Sequence, residues 1–193
     1  MIKAIIFDCY GVLVGTGFWN IYNRAGGDAD KDKVFINDWL HRNSLGEVTG
    51  EELTEAMAKE LGITVAEWRR YIEEDEVPSP QLLDLIRTRL LGKYKLAVIS
   101  NAGRGALDRK LSKEQQALFD AVIVSAEVGL VKPDPAIFAY ACEKLGVDPK
   151  QTVFIDDHEE YLAGAQSLGI KTILYKNFED CHNQLVQLLA KES

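Results

Sequence analysis

Five short apolar segments, at residues 4–8, 95–100, 121–125, 152–156 and 171–175, recur along the chain, each rich in β-branched or aliphatic side chains. Helical patterns separate them. Apolar residues at helical spacing run through 80–91, 135–145, 159–168 and 181–190, and the first three of these stop at Gly92, Gly146 and Gly169. Strands that alternate with helices imply an α/β fold, a doubly wound parallel sheet with right-handed crossovers. A chain of 193 residues is long enough for one such core and a small inserted subdomain.

The alternation is interrupted once. Between about residues 15 and 78 no convincing strand occurs, and three helical patterns (30–42, 50–61 and 64–74) take its place. Thr49 with Glu52, and Thr64 with Glu67, have the spacing of capping boxes. The stretch is bounded by Gly15-Thr16-Gly17 and by Pro78-Ser79-Pro80, which suit a hinge. The expectation is a helical cap, 15–78, over a core made of 1–14 and 79–193. A helical decoration that only extends the core is the alternative. Trp19, Tyr22, Arg24, Trp39 and Arg42 lie in this stretch; aromatics at helical spacing pack a subdomain core more often than they touch a ligand.

Chemistry-bearing residues collect where the strands end. In open α/β sheets the carboxyl ends of the strands face the ligand crevice. The first strand ends on Asp8, the second on Ser100-Asn101, and the fourth on Asp156-Asp157; Lys132 follows the third within Val131-Lys132-Pro133-Asp134-Pro135. A carboxylate nucleophile, a hydroxyl, an ammonium and paired acids form a coherent set. Other readings of single residues exist: Asp156 and Asp157 as a helix cap, Lys132 as a solvated charge.

Net charge and cysteine content narrow the partners. At −8, with the acids spread along the chain and no basic stripe, nucleic acid is excluded as a natural partner, while small anions remain accessible to local groups. Cys9, Cys142 and Cys181 are far apart and odd in number, so they read as reduced thiols rather than a disulfide framework or a zinc site. Strand alternation sends Cys9 to the face opposite Asp8 and Tyr10. The first strand starts at once and no apolar run reaches membrane-spanning length, so the expectation is a soluble cytoplasmic protein without membrane contact.

The order of these motifs resembles that of the haloacid dehalogenase-like hydrolase superfamily from end to end: Asp8 with Gly11-Val12-Leu13, then Ser100-Asn101, Lys132-Pro133-Asp134-Pro135, and Asp156-Asp157. The helical stretch is similar to that superfamily's small helical cap. The Asp-Asp form is similar to its phosphatase branch, which includes the amino-terminal domain of soluble epoxide hydrolase and bacterial sugar-phosphatases. The resemblance implies a sheet ordered 5-4-1-2-3 and an Mg²⁺-dependent hydrolase of a small phosphorylated metabolite; a monomer or a homodimer is expected. It assigns Asp8 as nucleophile, Ser100 and Lys132 as catalytic partners, and Ser100 and Asn101 as substrate-binding. Asp8, Asp156, Asp157 and the carbonyl of Tyr10 would be the metal ligands.

Two positions depart from that pattern. Most such phosphatases carry an aspartate where this chain has Tyr10, to protonate the leaving oxygen, and an asparagine where it has Tyr161. Loss of a general acid costs about 10² to 10⁴ in rate. Tyrosine at position 10 resembles the dehalogenase branch, which lacks paired acids on the fourth strand. Four readings follow: a phosphatase for good leaving groups such as sugar or acyl phosphates; one whose acid/base group is Tyr10 or His158; a non-catalytic relative that binds a phosphorylated ligand; and a 2-haloacid dehalogenase, which Asp156-Asp157 disfavours.

Overall fold

A computed structural model of the chain describes residues 1–190. Five strands, β1 (Ala4–Asp8), β2 (Lys95–Ser100), β3 (Ala121–Val124), β4 (Thr152–Asp156) and β5 (Lys171–Leu174), form one sheet. Every neighbouring pair is parallel and the order is β3-β2-β1-β4-β5, the expected 5-4-1-2-3 read from the other edge. Helices α1 (Phe18–Arg24), α2 (Lys33–Leu45), α3 (Gly50–Leu61), α4 (Val65–Asp75) and α5 (Pro80–Leu85) lie between β1 and β2. Then come α6 (Lys113–Gln116), α7 (Ser125–Val128), α8 (Pro135–Leu145), α9 (Glu159–Gln166) and α10 (Phe178–Ala190).

The period of two along β1 divides the core into two layers. Ile5 and Phe7 join Leu82 and Leu85 of α5 and Cys181 and Leu185 of α10 on one face; Ala4 and Ile6 join Phe138 and Ala141 of α8 and Leu162 of α9 on the other. With β1 central and buried along its whole length, its carboxyl end is the midpoint of the crevice. Among the described residues, no helix is long and apolar enough to cross a membrane.

Local chemistry accounts for most element ends. Both expected capping boxes form: the hydroxyls of Thr49 and Thr64 accept from the N–H groups of Glu52 and Glu67, and the threonine N–H groups donate to those glutamates' carboxylates in return. Several elements differ from the sequence expectation, and for the first two the physical cause is plain. Helix α1 was absent from it, because seven residues begin at Gly17 with no side-chain cap; burial of Ile21 and Tyr22 under Trp68, ring centroids 6.3 Å apart for the last two, supplies what local propensity does not. Helix α2 is shifted to Lys33–Leu45 and stops at Gly46, whose φ of 75° ends it in the left-handed region. The expected helix 80–91 changes to a wider π turn at Ile86–Leu90. Ser125, expected to end β3, instead begins α7.

Helices α1 to α4 bury a cluster of their own around Ile21, Tyr22, Ile36, Met57 and Trp68. Tyr22 belongs to it, Trp39 packs beside it under the Arg42 guanidinium at 4.9 Å, and Arg24 donates to the Tyr71 carbonyl at 2.7 Å. These side chains hold the helices together. The two strands of chain that join the insertion to the sheet run side by side: Val14 bridges Pro78, Ser79 N–H donates to Leu13 O at 2.8 Å, and Thr16 donates twice to the Asp75 carboxylate. At the far side the end of α2 is seated on the loop that follows Ser100. The buried Ser125 hydroxyl donates to Ser44 O at 2.7 Å and accepts from Ala102 N–H at 3.0 Å, joining insertion and loop through one oxygen.

Candidate active site

The register of the sheet brings the expected strand-end residues together. Asp8 pairs with Ile99, one residue before Ser100, and Phe7 pairs with Ile155, one before Asp156. Lys132 enters from the loop before α8, where Asp134 caps the helix through Ala136 N–H and Pro135 occupies its first turn. Its ammonium donates to Asp8 Oδ1 at 2.6 Å and to Asp156 Oδ2 at 2.7 Å. The second oxygen of Asp156 accepts from His158 N–H at 2.8 Å. Asp8, Lys132, Asp156 and Ser100 are all buried, the least so being Asp8 at 5% exposure, so a carboxylate–ammonium cluster has been taken out of water.

Three carboxylates face one ammonium. Ligand oxygens of Asp8, Asp156 and Asp157 all lie within 4.8 Å of one another. Burial, followed by the charge of Asp156, pushes the Asp8 carboxyl up to about 8, against the opposing pull of Lys132. For Lys132 burial works the other way, but the carboxylates of Asp156 and Asp8 outweigh it and hold the ammonium above its ordinary value. Lys132 therefore stays charged and is shared between two acids, so it neutralises one of them. Asp157 is also raised, mainly by burial.

Two polar atoms in this cluster are buried without a hydrogen-bond partner among the described residues: Ser100 Oγ and Asp157 Oδ1. Orphaned buried oxygens are uncommon and costly, and both face chemistry they could satisfy. Asp157 Oδ1, with the excess negative charge around it, suits a hard divalent cation bound through oxygens. Ser100 Oγ can donate to an anion. The donor set therefore fits a magnesium ion next to an anionic group.

Three features of the site were not visible in the sequence. Asn101 uses its side chain on the backbone of Lys132, donating to its carbonyl and accepting from its N–H, both at 2.8 Å, so a ligand can use the main chain of Asn101 but its amide is engaged. Gly11 has a φ of 88°, and a Cβ there would stand 2.4 Å from Asp157 Oδ2. Its lack of a side chain is what admits that carboxylate. The third is Tyr10. Alternation puts its side chain with Asp8, but the chain turns at Cys9, whose carbonyl accepts from Val12 and Val14, and Tyr10 packs against the same layer as the buried Cys9. Burial and the charge of Glu76 push its hydroxyl well above 10, so it remains a neutral phenol at physiological pH. His158 caps α9 with its imidazole partly exposed, Nε2 4.0 Å from Asp157 Oδ2.

Known proteins carry the same architecture. Residues 2–169 match the haloacid dehalogenase-like hydrolase family. The chain is 27% identical to a phosphorylated carbohydrates phosphatase of Thermotoga maritima, over 89% of this chain and 83% of that protein. It is 30% identical to (S)-2-haloacid dehalogenase 4A of Burkholderia cepacia, over 89% and 82%. Against several other curated relatives the chain spans less than half their length, among them mouse Acyl-CoA dehydrogenase family member 10, of which it covers 19% and to which it is 29% identical over 97% of this chain. Among solved structures, a HAD-family enzyme of Bacteroides thetaiotaomicron in complex with magnesium and inorganic phosphate superposes with a TM-score of 0.70 at 25% identity, covering 91% of this chain and 95% of that one. With the sheet order, the strand-end acids and the family match over most of its length in agreement, the chain belongs to the haloacid dehalogenase-like hydrolases.

Proposed function

We propose that the chain is an Mg²⁺-dependent phosphomonoester hydrolase acting on a small phosphorylated metabolite, a sugar phosphate being the nearest class, in the cytoplasm and as a monomer or homodimer. The observation that carries this reading is the pair of orphaned buried oxygens, Asp157 Oδ1 and Ser100 Oγ, at the strand ends that also present the Asp8–Lys132–Asp156 cluster. Asp8, Asp156, Asp157 and the Tyr10 carbonyl would hold the ion, which when bound offsets the repulsion between a carboxylate and a phosphate dianion. Asp8 Oδ1 is held by Lys132, which leaves Oδ2 to attack phosphorus. The new O–P bond forms as the ester P–O bond breaks, giving an aspartyl phosphate; water then cleaves it and releases phosphate. Ser100 donates to a phosphoryl oxygen, Lys132 stabilises the charge that develops, and helices α1 to α4 act as a cap that excludes water.

Tyr10 and the 30% identity to (S)-2-haloacid dehalogenase 4A favour haloacid chemistry, in which the leaving halide needs no proton. Against it stand Asp156 and Asp157, whose charges would repel a haloacid's own carboxylate by about a few kcal/mol at an effective dielectric of ~20. The test is phosphate release from a panel of sugar phosphates and an activated aryl phosphate. Turnover is expected with Mg²⁺ and a fall to background when the ion is chelated. Background rates throughout, with halide released from a 2-haloacid regardless of metal, would select the dehalogenase.

Tyr10 also sets the leaving-group range. Its phenol is turned into the layer that buries Cys9 and supplies no proton to the leaving oxygen, so esters with good leaving groups should turn over fastest. Tyr10→Asp is expected to raise the rate on alkyl phosphates by about tenfold or more while changing the aryl phosphate little. Equal effects on both substrates would show that protonation of the leaving group is supplied elsewhere, with His158 next to be replaced.

A further inference from the structure

Lys132 is a flexible four-carbon stem whose ammonium must meet two carboxylates at once, and something has to hold it there. An ammonium has three N–H donors, and Asp8 and Asp156 take two of them. The third side is aromatic. Lys132 Nζ lies 4.8 Å from the ring centroid of Tyr161 and 5.5 Å from that of Phe154. Tyr161 stands in the first turn of α9, half-buried, with its ring 4.9 Å from that of His158 and its hydroxyl beside the Asn101 side chain. Asn101 in turn grips the main chain of Lys132 at both its N–H and its carbonyl. One side chain thus reaches both ends of Lys132.

We propose that Tyr161 is the positioning residue of Lys132: its ring closes the third side of the ammonium, so that the charge stays centred between Asp8 and Asp156. An aromatic face suits this task physically. It attracts a desolvated cation without adding a fourth carboxylate to a site already rich in negative charge, and it accepts no proton. A short polar side chain at 161 would leave that third side to water. The consequence for turnover rests on the phosphatase reading, whereas the placement of Lys132 does not.

The experiment uses the full chain, Tyr161→Phe and Tyr161→Leu, with Tyr161→Gln as a second non-aromatic variant should the leucine protein fail to fold. The first readout is the ¹H–¹⁵N spectrum of lysine ammonium groups, in which the Lys132 signal is assigned by its loss in Lys132→Met. In the parent that signal should be displaced by the ring current from the exposed lysines. Phe should keep the displacement; Leu or Gln should lose most of it. The second readout is kcat and KM on the best phosphomonoester: Leu or Gln should lower kcat about tenfold with KM within about twofold, and Phe should restore most of kcat. A Lys132 signal undisplaced in the parent, or one unmoved in Leu and Gln, overturns the proposal, as does a Phe variant as impaired as Leu. Absence of phosphatase activity in the parent would defeat the functional reading alone, because the spectrum still decides the position of Lys132.

Discussion

Asp8→Asn is expected to bring turnover to background and, in chelator at pH 8, to raise the melting temperature. Loss of activity follows from removing the atom that accepts phosphorus, a loss of at least about 10³-fold. The gain in stability follows from burial and from Asp156, which push the Asp8 carboxyl from 3.8 to about 8. Between those values the folded chain binds a proton that the unfolded chain has released, so this site's contribution to stability falls as pH rises from about 4 to 8. A tenfold change in proton affinity corresponds to about 1.4 kcal/mol, and even with the coupling to Lys132 and Asp156 the cost near pH 8 is of order a few kcal/mol. Asparagine carries no charge and removes that slope. Thermal unfolding of parent and variant in EDTA at pH 5 and pH 8 checks this: the gap should open with pH by about 5 °C or more. Parallel melting curves would falsify the assignment of Asp8 as the strained carboxylate. Added Mg²⁺ should stabilise the parent and the variant much less, since a cation relieves the same repulsion.

Lys132→Met should have the opposite sign on stability and an equally large effect on rate. The ammonium is the common donor to Asp8 and Asp156, both buried, and its loss leaves two carboxylates facing each other in a site with little water. Removing one partner of such a cluster costs about 3 to 5 kcal/mol, and turnover should fall by about 10² to 10³ as the developing charge loses its donor. The destabilisation should shrink at pH 5, where the Asp8 carboxyl, raised by burial, takes up a proton. Lys132→Arg is not expected to rescue activity, because a planar guanidinium cannot sit 2.6 and 2.7 Å from two converging oxygens where a compact ammonium does. Initial rates together with melting at the two pH values separate the outcomes; a methionine variant as stable as the parent at pH 8 would mean that the ion cluster contributes nothing to folding.

How much of this was legible beforehand depended on the range of the interaction involved. The strands showed clearly, since buried parallel strands write themselves as short apolar runs and glycine stops separate them from helices; their order in the sheet followed only from the family resemblance. Capping boxes at Thr49 and Thr64 were also legible, because they need only four consecutive residues. Helix α1 was not, since its stabilisation comes from Trp68, more than forty positions away in the chain. The strand-end residues Asp8, Ser100, Lys132, Asp156 and Asp157 could be named from position alone, but their roles relative to one another could not.

Tyr10 shows the limit best. Its spacing from Asp8 placed both on one face, yet the turn at Cys9 ends the strand and sends the phenol toward the layer that buries the thiol. Asn101 read as a ligand-binding residue, and its side chain also clamps the main chain of Lys132; Tyr161 read as a departure from a pattern, and its ring lies beside the ammonium. By itself the sequence determined the strands, the parallel α/β class and which chemical groups would arrive at the carboxyl edge, because periodicity and turn residues act over a few positions, while the central place of the first strand came with the family resemblance. Only the tertiary structure decided that Lys132 bridges Asp8 and Asp156 across 124 and 24 positions, and that Gly11 yields its space to Asp157. Those outcomes depend on desolvation and steric fit between distant segments, which no local pattern encodes.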